Sequence, residues 1–221
     1  MDWQAFSLSL ELAAVTLCVL LPLGLLLGRW LAHTAFFGKA WIEALVVLPL
    51  VLPPTVLGYY LLVALGGDSA LGRWAATHLD LRLSFNFLGL LIASVIFNVP
   101  FMVQPVQRAF AAIPRELGEA AAVSGLGGWQ TFWRVELPLA WPGVLSAMVL
   151  TFVHTLGEFG VVLMVGGSIP GETRTIAIAI YDKVQAFELA GADRMALLLL
   201  VFSLVAVAAS FFASARSVVR R

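Results

Sequence analysis

The chain has little charge, one cysteine and no basic residue near its start. Charged side chains make up 12% of its 221 residues, against 61% hydrophobic. That is too little charge to solvate the surface of a water-soluble domain of this length. The formal net charge is zero, so there is no basic footprint for nucleic acid. Cys18 stands alone inside an apolar run, which excludes a disulfide framework or a cysteine-rich metal centre within the chain. The opening MDWQAFSLSLELAA carries Asp2 and Glu11 but no Lys or Arg. It therefore lacks the basic flank of a cleaved signal peptide, and the first apolar run reads as a permanent span.

Catalytic machinery is missing as well. A P-loop needs G-x-x-x-x-G-K-[ST], whose backbone amides wrap phosphate. The nearest match is Gly38-Lys39, with His33 at the first glycine position and Ala40 at the last, and it fails at both. A rhomboid-like protease needs a serine in a G-x-S-x-G-like setting. His154 is present, but Ser94 (IASVI) and Ser146 (VLSAM) lack those flanks, and neither HExxH nor a paired-aspartate motif occurs. No catalytic residue, metal site or cofactor is expected in this chain, and a membrane-embedded enzyme is the distant alternative. A stand-alone secondary transporter would commonly show internal repeats, and none is found.

What is abundant is apolar sequence, with a mean hydropathy of +0.98. Runs of about 20 residues recur, the length a helix needs to cross the hydrocarbon of a bilayer. Five are predicted to span: about Leu8–Leu31, Ala44–Leu65, Phe85–Val106, Gly143–Val165 and Met195–Phe212. The chain reads as an all-α polytopic membrane protein with its termini on opposite sides. One set of loops holds Arg29, Lys39, Arg108, Arg115, Arg134, Arg216, Arg220 and Arg221; the other holds Arg73, Arg82, Arg174, Lys183 and Arg194. Basic residues favour the cytoplasmic side, so the N-terminus is expected outside and the C-terminus inside. The longest inner segment is then 107–141 and the longest outer one 166–194. Within the outer segment, TIAIAI fits a short helix or an extended stretch equally well.

The inner segment contains PRELGEAAAVSG, Pro114 to Gly125, soon followed by WRVELP. Pro114 suits a helix start, Glu116 and Glu119 complement its positive end, the alanines favour helix and Gly125 supplies the stop. After GLGG a second short helix, WQTFWRVEL, is expected, with Pro138 and Pro142 bracketing the return into the fourth span. The physics alone leaves two readings open: a knob with a smooth alanine face for another surface, or an ordinary loop folded on the membrane.

Glu119-Ala120-Ala121, three residues, Gly125, nine residues, then Val135-Glu136-Leu137-Pro138 resembles the EAA signature of ABC-importer permease subunits, matched at every fixed position. In that family the loop is the coupling helix that docks on a cytoplasmic ATPase. The resemblance gives that role here to Glu119, Ala120, Ala121 and Gly125, with WRVELP as a buttress. LPLVLPPTVLGYYLL (48–62), TLGEFGVVLMVGGSIPGETRTIAIAIY (155–181) and FFGKA (36–40) are similar to permeases for molybdate and tungstate; sulfate and thiosulfate permeases are close relatives and the alternative. The match covers nearly the whole chain. It implies one permease domain, residues 1–221, of the type I ABC-importer fold in a bacterial or archaeal cytoplasmic membrane. It also implies two ATPase subunits that hold ATP and Mg, and a periplasmic or extracellular oxyanion-binding protein. Five spans are few to enclose a pathway, so a two-fold homodimer is expected.

Polar groups within spans are costly and so are default functional candidates. Thr151, His154, Thr155 and Glu158 recur at three- and four-residue offsets, one side of a helix. Two uses are open: lining an aqueous path at the dimer interface, or bonding to their own backbone and to neighbouring helices. A carboxylate repels an oxyanion, so Glu158 is assigned to structure or to a gate. Thr55, after Pro49, Pro53 and Pro54, marks a kink that is either a pivot or a fixed bend. Asn98, Pro100, Gln104 and Gln107 are weaker pathway candidates, and no cationic side chain lies in mid-span.

Overall fold

The computed structural model describes the backbone of residues 1–219 and the side chains of residues 1–212. The side chains of Arg216, Arg220 and Arg221, used above for orientation, lie outside the described residues. Among the described residues every regular element is helical.

The first helix, α1 (Trp3–His33), starts where the Asp2 carboxylate accepts from the Ala5 amide at 3.0 Å. It supplies the first predicted span. The second bends by 108° into α2 (Lys39–Val51) and α3 (Pro54–Leu65). Leu52 and Pro53 are both extended there, with ψ of 139° and 134°. Each precedes a proline, whose ring disfavours the helical conformation in the residue before it. The predicted kink is thus a sharp corner between two helices. Next comes α4 (Ala70–Leu79), a short helix capped by Ser69 that the run-length reading did not anticipate.

The third span is α5 (Phe87–Ala111), which continues five residues past its expected end. Close approach locks it to α1: a Cβ built on Gly28 would lie 2.8 Å from Val106 Cγ1 and 3.0 Å from the Gln107 nitrogen. Then follow α6 (Arg115–Val123) and α7 (Gly128–Thr131), a π-helical turn at Phe132–Glu136, and α8 (Leu137–Gly157). The expected separate helix WQTFWRVEL is not observed. Residues Gly128–Gly157 form one 30-residue helix with the π-turn inside it. The Leu137 amide donates to the Phe132 carbonyl, five residues back. Pro138 comes next, and its ring would clash with the carbonyl four residues earlier in a regular α-turn; the wider turn relieves that clash. Pro142 lies inside α8 and does not mark its start.

The fourth span corrects a second expectation. Helix α8 stops at Gly157, Glu158 is extended (φ −66°, ψ 132°), and a new helix, α9 (Gly160–Gly166), begins after Phe159. Glycines at 157 and 160 weaken the helix there. Beyond it, α10 (Ile176–Gln185) settles the TIAIAI question as helix, with Thr175 as its N-cap. The last helix is α11 (Leu189–Val219). Among the apolar clusters that hold the bundle, two bear on the sites below. One joins α1, α5, the π-turn and α8 around Leu20, Met102, Phe110, Phe132 and Val144. The other joins α3, α5 and α9 around Leu65, Phe97, Val161 and Val165.

Candidate functional site

Two sites emerge, at opposite ends of α8. The first is α6. Its end has the bonding of a Schellman cap, the Leu126 amide reaching the Ala121 carbonyl and the Gly125 amide the Ala122 carbonyl, each at 3.0 Å. Gly125 has φ +77°, a left-handed conformation that glycine adopts without steric cost. Ala121 is buried, while Glu119, Ala120, Ala122 and Gly125 are exposed. Val123 is 91% exposed, and a Cβ built on Gly118 or Gly125 would meet nothing within 4 Å. The helix therefore presents a smooth face of small side chains outward. Behind it lies a cleft of about 550 Å³ lined by His33, Phe110, Arg115, Glu119, Val135 and Glu136.

The second site is a polar cluster at the α8–α9 break. Glu158 Oε2 accepts from Ser94 Oγ at 3.1 Å and from Asn98 Nδ2 at 3.2 Å, both on α5. Asn98 Nδ2 also donates to the Ser94 carbonyl at 2.9 Å, and Asn98 Oδ1 lies 2.9 Å from His154 Nδ1. An amide oxygen only accepts, so this contact assigns the proton to His154 Nδ1. The imidazole stacks on Phe101 with centroids 3.8 Å apart. The hydroxyl of Thr155 donates to the Thr151 carbonyl at 2.8 Å. Glu158 Oε1 and the hydroxyls of Thr151 and Thr16 are buried with no hydrogen-bond partner.

The structure thus brings Asn98 and Glu158 into direct contact and places Thr155 one turn and Thr151 two turns back along α8. All four are buried within this single chain. Thr55 is exposed in the first turn of α3, where its backbone passes the break: a Cβ on Gly160 would lie 3.6 Å from the Thr55 nitrogen. Of the weaker candidates, Gln107 Nε2 donates to Glu43 Oε1 at 2.7 Å. Ser94 was missed because a serine between apolar neighbours gives no pattern; its partner is 64 residues away. The ion pair of Arg29 with Glu136, 107 residues apart, was missed for the same reason. Outside both sites, Arg174 Nη2 pairs with Asp2 Oδ2 at 2.8 Å, and the Ile176 amide donates to Ser9 Oγ at 2.8 Å. Both contacts staple the 166–194 segment to the start of α1.

Residues 21–221 match the family described as "Binding-protein-dependent transport system inner membrane component". The chain is 47% identical over 211 residues to the molybdenum transport system permease protein ModB of Azotobacter vinelandii, spanning 95% of this chain and 93% of that one. It is 32% identical to the sulfate transport system permease protein CysT of Escherichia coli (strain K12), over 82% of this chain and 65% of that one. Among solved structures, a bacterial ABC transporter involved in the import of the acidic polysaccharide alginate superposes with a TM-score of 0.79. It is 20% identical, over 96% of this chain and 78% of that chain, a likeness of fold alone.

Proposed function

This chain belongs to the family of binding-protein-dependent transport system inner membrane components, and from that premise we propose a transport cycle in which it carries molybdate, with tungstate as the near analogue. It is a multi-pass permease subunit of a bacterial ABC importer in the cytoplasmic membrane, and ATP is hydrolysed on a separate subunit. The similarity to a molybdenum permease at 47%, against 32% for a sulfate permease, supports the substrate.

In this reading the chain is one permease domain of the type I fold, with five spans, the N-terminus outside and the C-terminus inside. The bent pair α2–α3 counts as the second span. Two copies form the conduit about a two-fold axis, two ATPases with ATP and Mg sit beneath, and an oxyanion-binding protein delivers the cargo from outside. Segment 107–141 is the coupling loop and 166–194 the outer loop. The observation that carries the reading is α6: a capped, outward helix whose glycine and alanine face is unoccupied in this chain. Glu119, Ala120 and Gly125 shape that face for an ATPase groove, and Ala121, the one buried residue of α6, seats the helix from behind. The cluster of Asn98, Thr151, Thr155 and Glu158 serves as the gate, with Thr55 on the facing helix. A dianion then meets hydroxyls and backbone amides, which hold it weakly enough to let it go.

The test is reconstitution in liposomes with the cognate ATPase and receptor. Receptor loaded with molybdate or tungstate is expected to stimulate ATP hydrolysis and fill the vesicles with oxyanion. Stimulation by sulfate-loaded receptor alone would transfer the chain to the sulfate importers.

A further inference from the structure

The π-turn is fastened to the foot of α1 by charge. Arg29 Nε donates to Glu136 Oε2 at 2.5 Å and Nη2 donates to Oε1 at 3.2 Å, a two-pronged contact. The same guanidinium lies over the Phe132 ring, 5.4 Å from its centroid. His33, one turn further along α1, places Nε2 3.9 Å from Glu136 Oε1. Phe132 and Glu136, first and last residues of the π-turn, are each 7% exposed and face α1, while Trp133 and Arg134 face outward. Single π-turns within α-helices are frequent at functional positions, and a planar guanidinium suits a carboxylate and an aromatic face at once.

Resting on the reading of α6 as the ATPase-docking helix, we propose that Arg29 and Glu136 form the clamp through which displacement of the coupling loop moves the bundle. The loop is otherwise a separate excursion: α6 exposes all but one of its side chains and is joined to α7 through Gly125 and Gly127. The clamp makes the base of α8 and the foot of α1 one body. α1 is in turn locked to α5 at Gly24 and Gly28, where a Cβ would collide with Met102 and Val106. α5 carries Ser94 and Asn98, the two groups that hold Glu158 at the break. A continuous set of contacts thus runs from the π-turn to the buried cluster, and Arg29 and Glu136 are positioning residues at its first joint. Removing Arg29 leaves a buried carboxylate without its guanidinium, and removing the Glu136 charge leaves a partly exposed guanidinium without its carboxylate. Either change leaves the base of α8 tied to α1 by apolar packing without the charged joint.

The experiment compares Arg29→Met, Glu136→Gln and the double variant in the full importer, reconstituted with its ATPase and molybdate-loaded receptor. Each single variant is expected to co-purify with the ATPase at the normal ratio while molybdate delivered per ATP hydrolysed falls by about fivefold or more, the scale of coupling between distinct sites. The double variant is expected to fall no further than the worse single one, because both substitutions break one joint. An unchanged ratio of transport to hydrolysis would overturn the clamp, as would losses that simply add. Loss of the assembled complex in both single variants would also overturn it and mark the pair as a folding contact. Ala122→Arg on the exposed face of α6 is the control. If that variant still recovers its ATPase, the docking reading fails by itself, whatever the clamp variants do.

Discussion

At the scale of single residues, the carboxyl of Glu158 has the most demanding surroundings. It is buried, one oxygen is shared by Ser94 and Asn98, and the other has no partner. Glu158→Gln keeps an acceptor for both donors and is expected to insert, assemble and melt nearly as the parent does. Glu158→Ala strands two buried donors at about 1–3 kcal/mol each, and a clear drop in thermal midpoint of the purified complex in detergent checks this. A transport defect in the glutamine variant at normal stability would tie the carboxyl itself to gating. The residue scale is also where sequence reading is weakest. Glu158 and Asn98 attracted attention as polar residues in apolar runs. That they touch each other depends on how α5 and α8 pack, and no spacing within either helix encodes it.

At the scale of elements, run length found all the long helices but not their interruptions. An apolar run from 143 to 165 looks continuous because Leu, Val and Met suit a helix on either side of the break. The break needs Gly157 and Gly160 nearby and the capture of Glu158 by another helix, and only the first of these is visible locally. The α2–α3 corner was legible as a kink because proline acts on its immediate neighbours. Its sharpness comes from two consecutive restrictions, at Leu52 and at Pro53. Pro53→Ala is therefore expected to leave the corner in place, since Pro54 still holds residue 53 extended. Replacing both prolines with alanine lets a helix run through, and transport is expected to fall sharply with the ATPase still bound. Accessibility of cysteines placed along 50–58 to a water-soluble thiol reagent, in the Cys18→Ala background, distinguishes the bent form from the straight one. The α6 helix was the most legible element: its start and its glycine stop follow from local chemistry, and the structure places them within a residue of expectation. But Ala121, expected on the open alanine face, is buried, because which side of a short helix turns inward depends on what it packs against.

At the scale of the whole molecule, much of the surface is apolar: Leu23 and Leu26 on α1, Tyr59 and Tyr60 on α3, and Leu200, Leu204 and Phe211 on α11 are each at least half exposed. Lipid satisfies such faces as well as protein does, so composition alone does not separate a lipid face from a subunit interface. The proposed assembly makes a countable prediction. Native mass spectrometry of the purified importer is expected to give two permease chains and two ATPases, and a stable one-to-one particle that transports would refute the two-fold arrangement. Family membership was readable because the EAA spacing is local, whereas partner geometry is written in surfaces that a single chain leaves open.

The uninterrupted helix from Gly128 to Gly157 has one more consequence. Thirty residues at about 1.5 Å each make a rod roughly 45 Å long, reaching from the loop bearing the alanines to the break at Glu158. A tilt of about 5° at one end of such a rod displaces the other by about 4 Å. That is more than the length of a hydrogen bond, so where the rod turns against α5, a rotation too slight to notice at the foot suffices to part Glu158 from both of its donors.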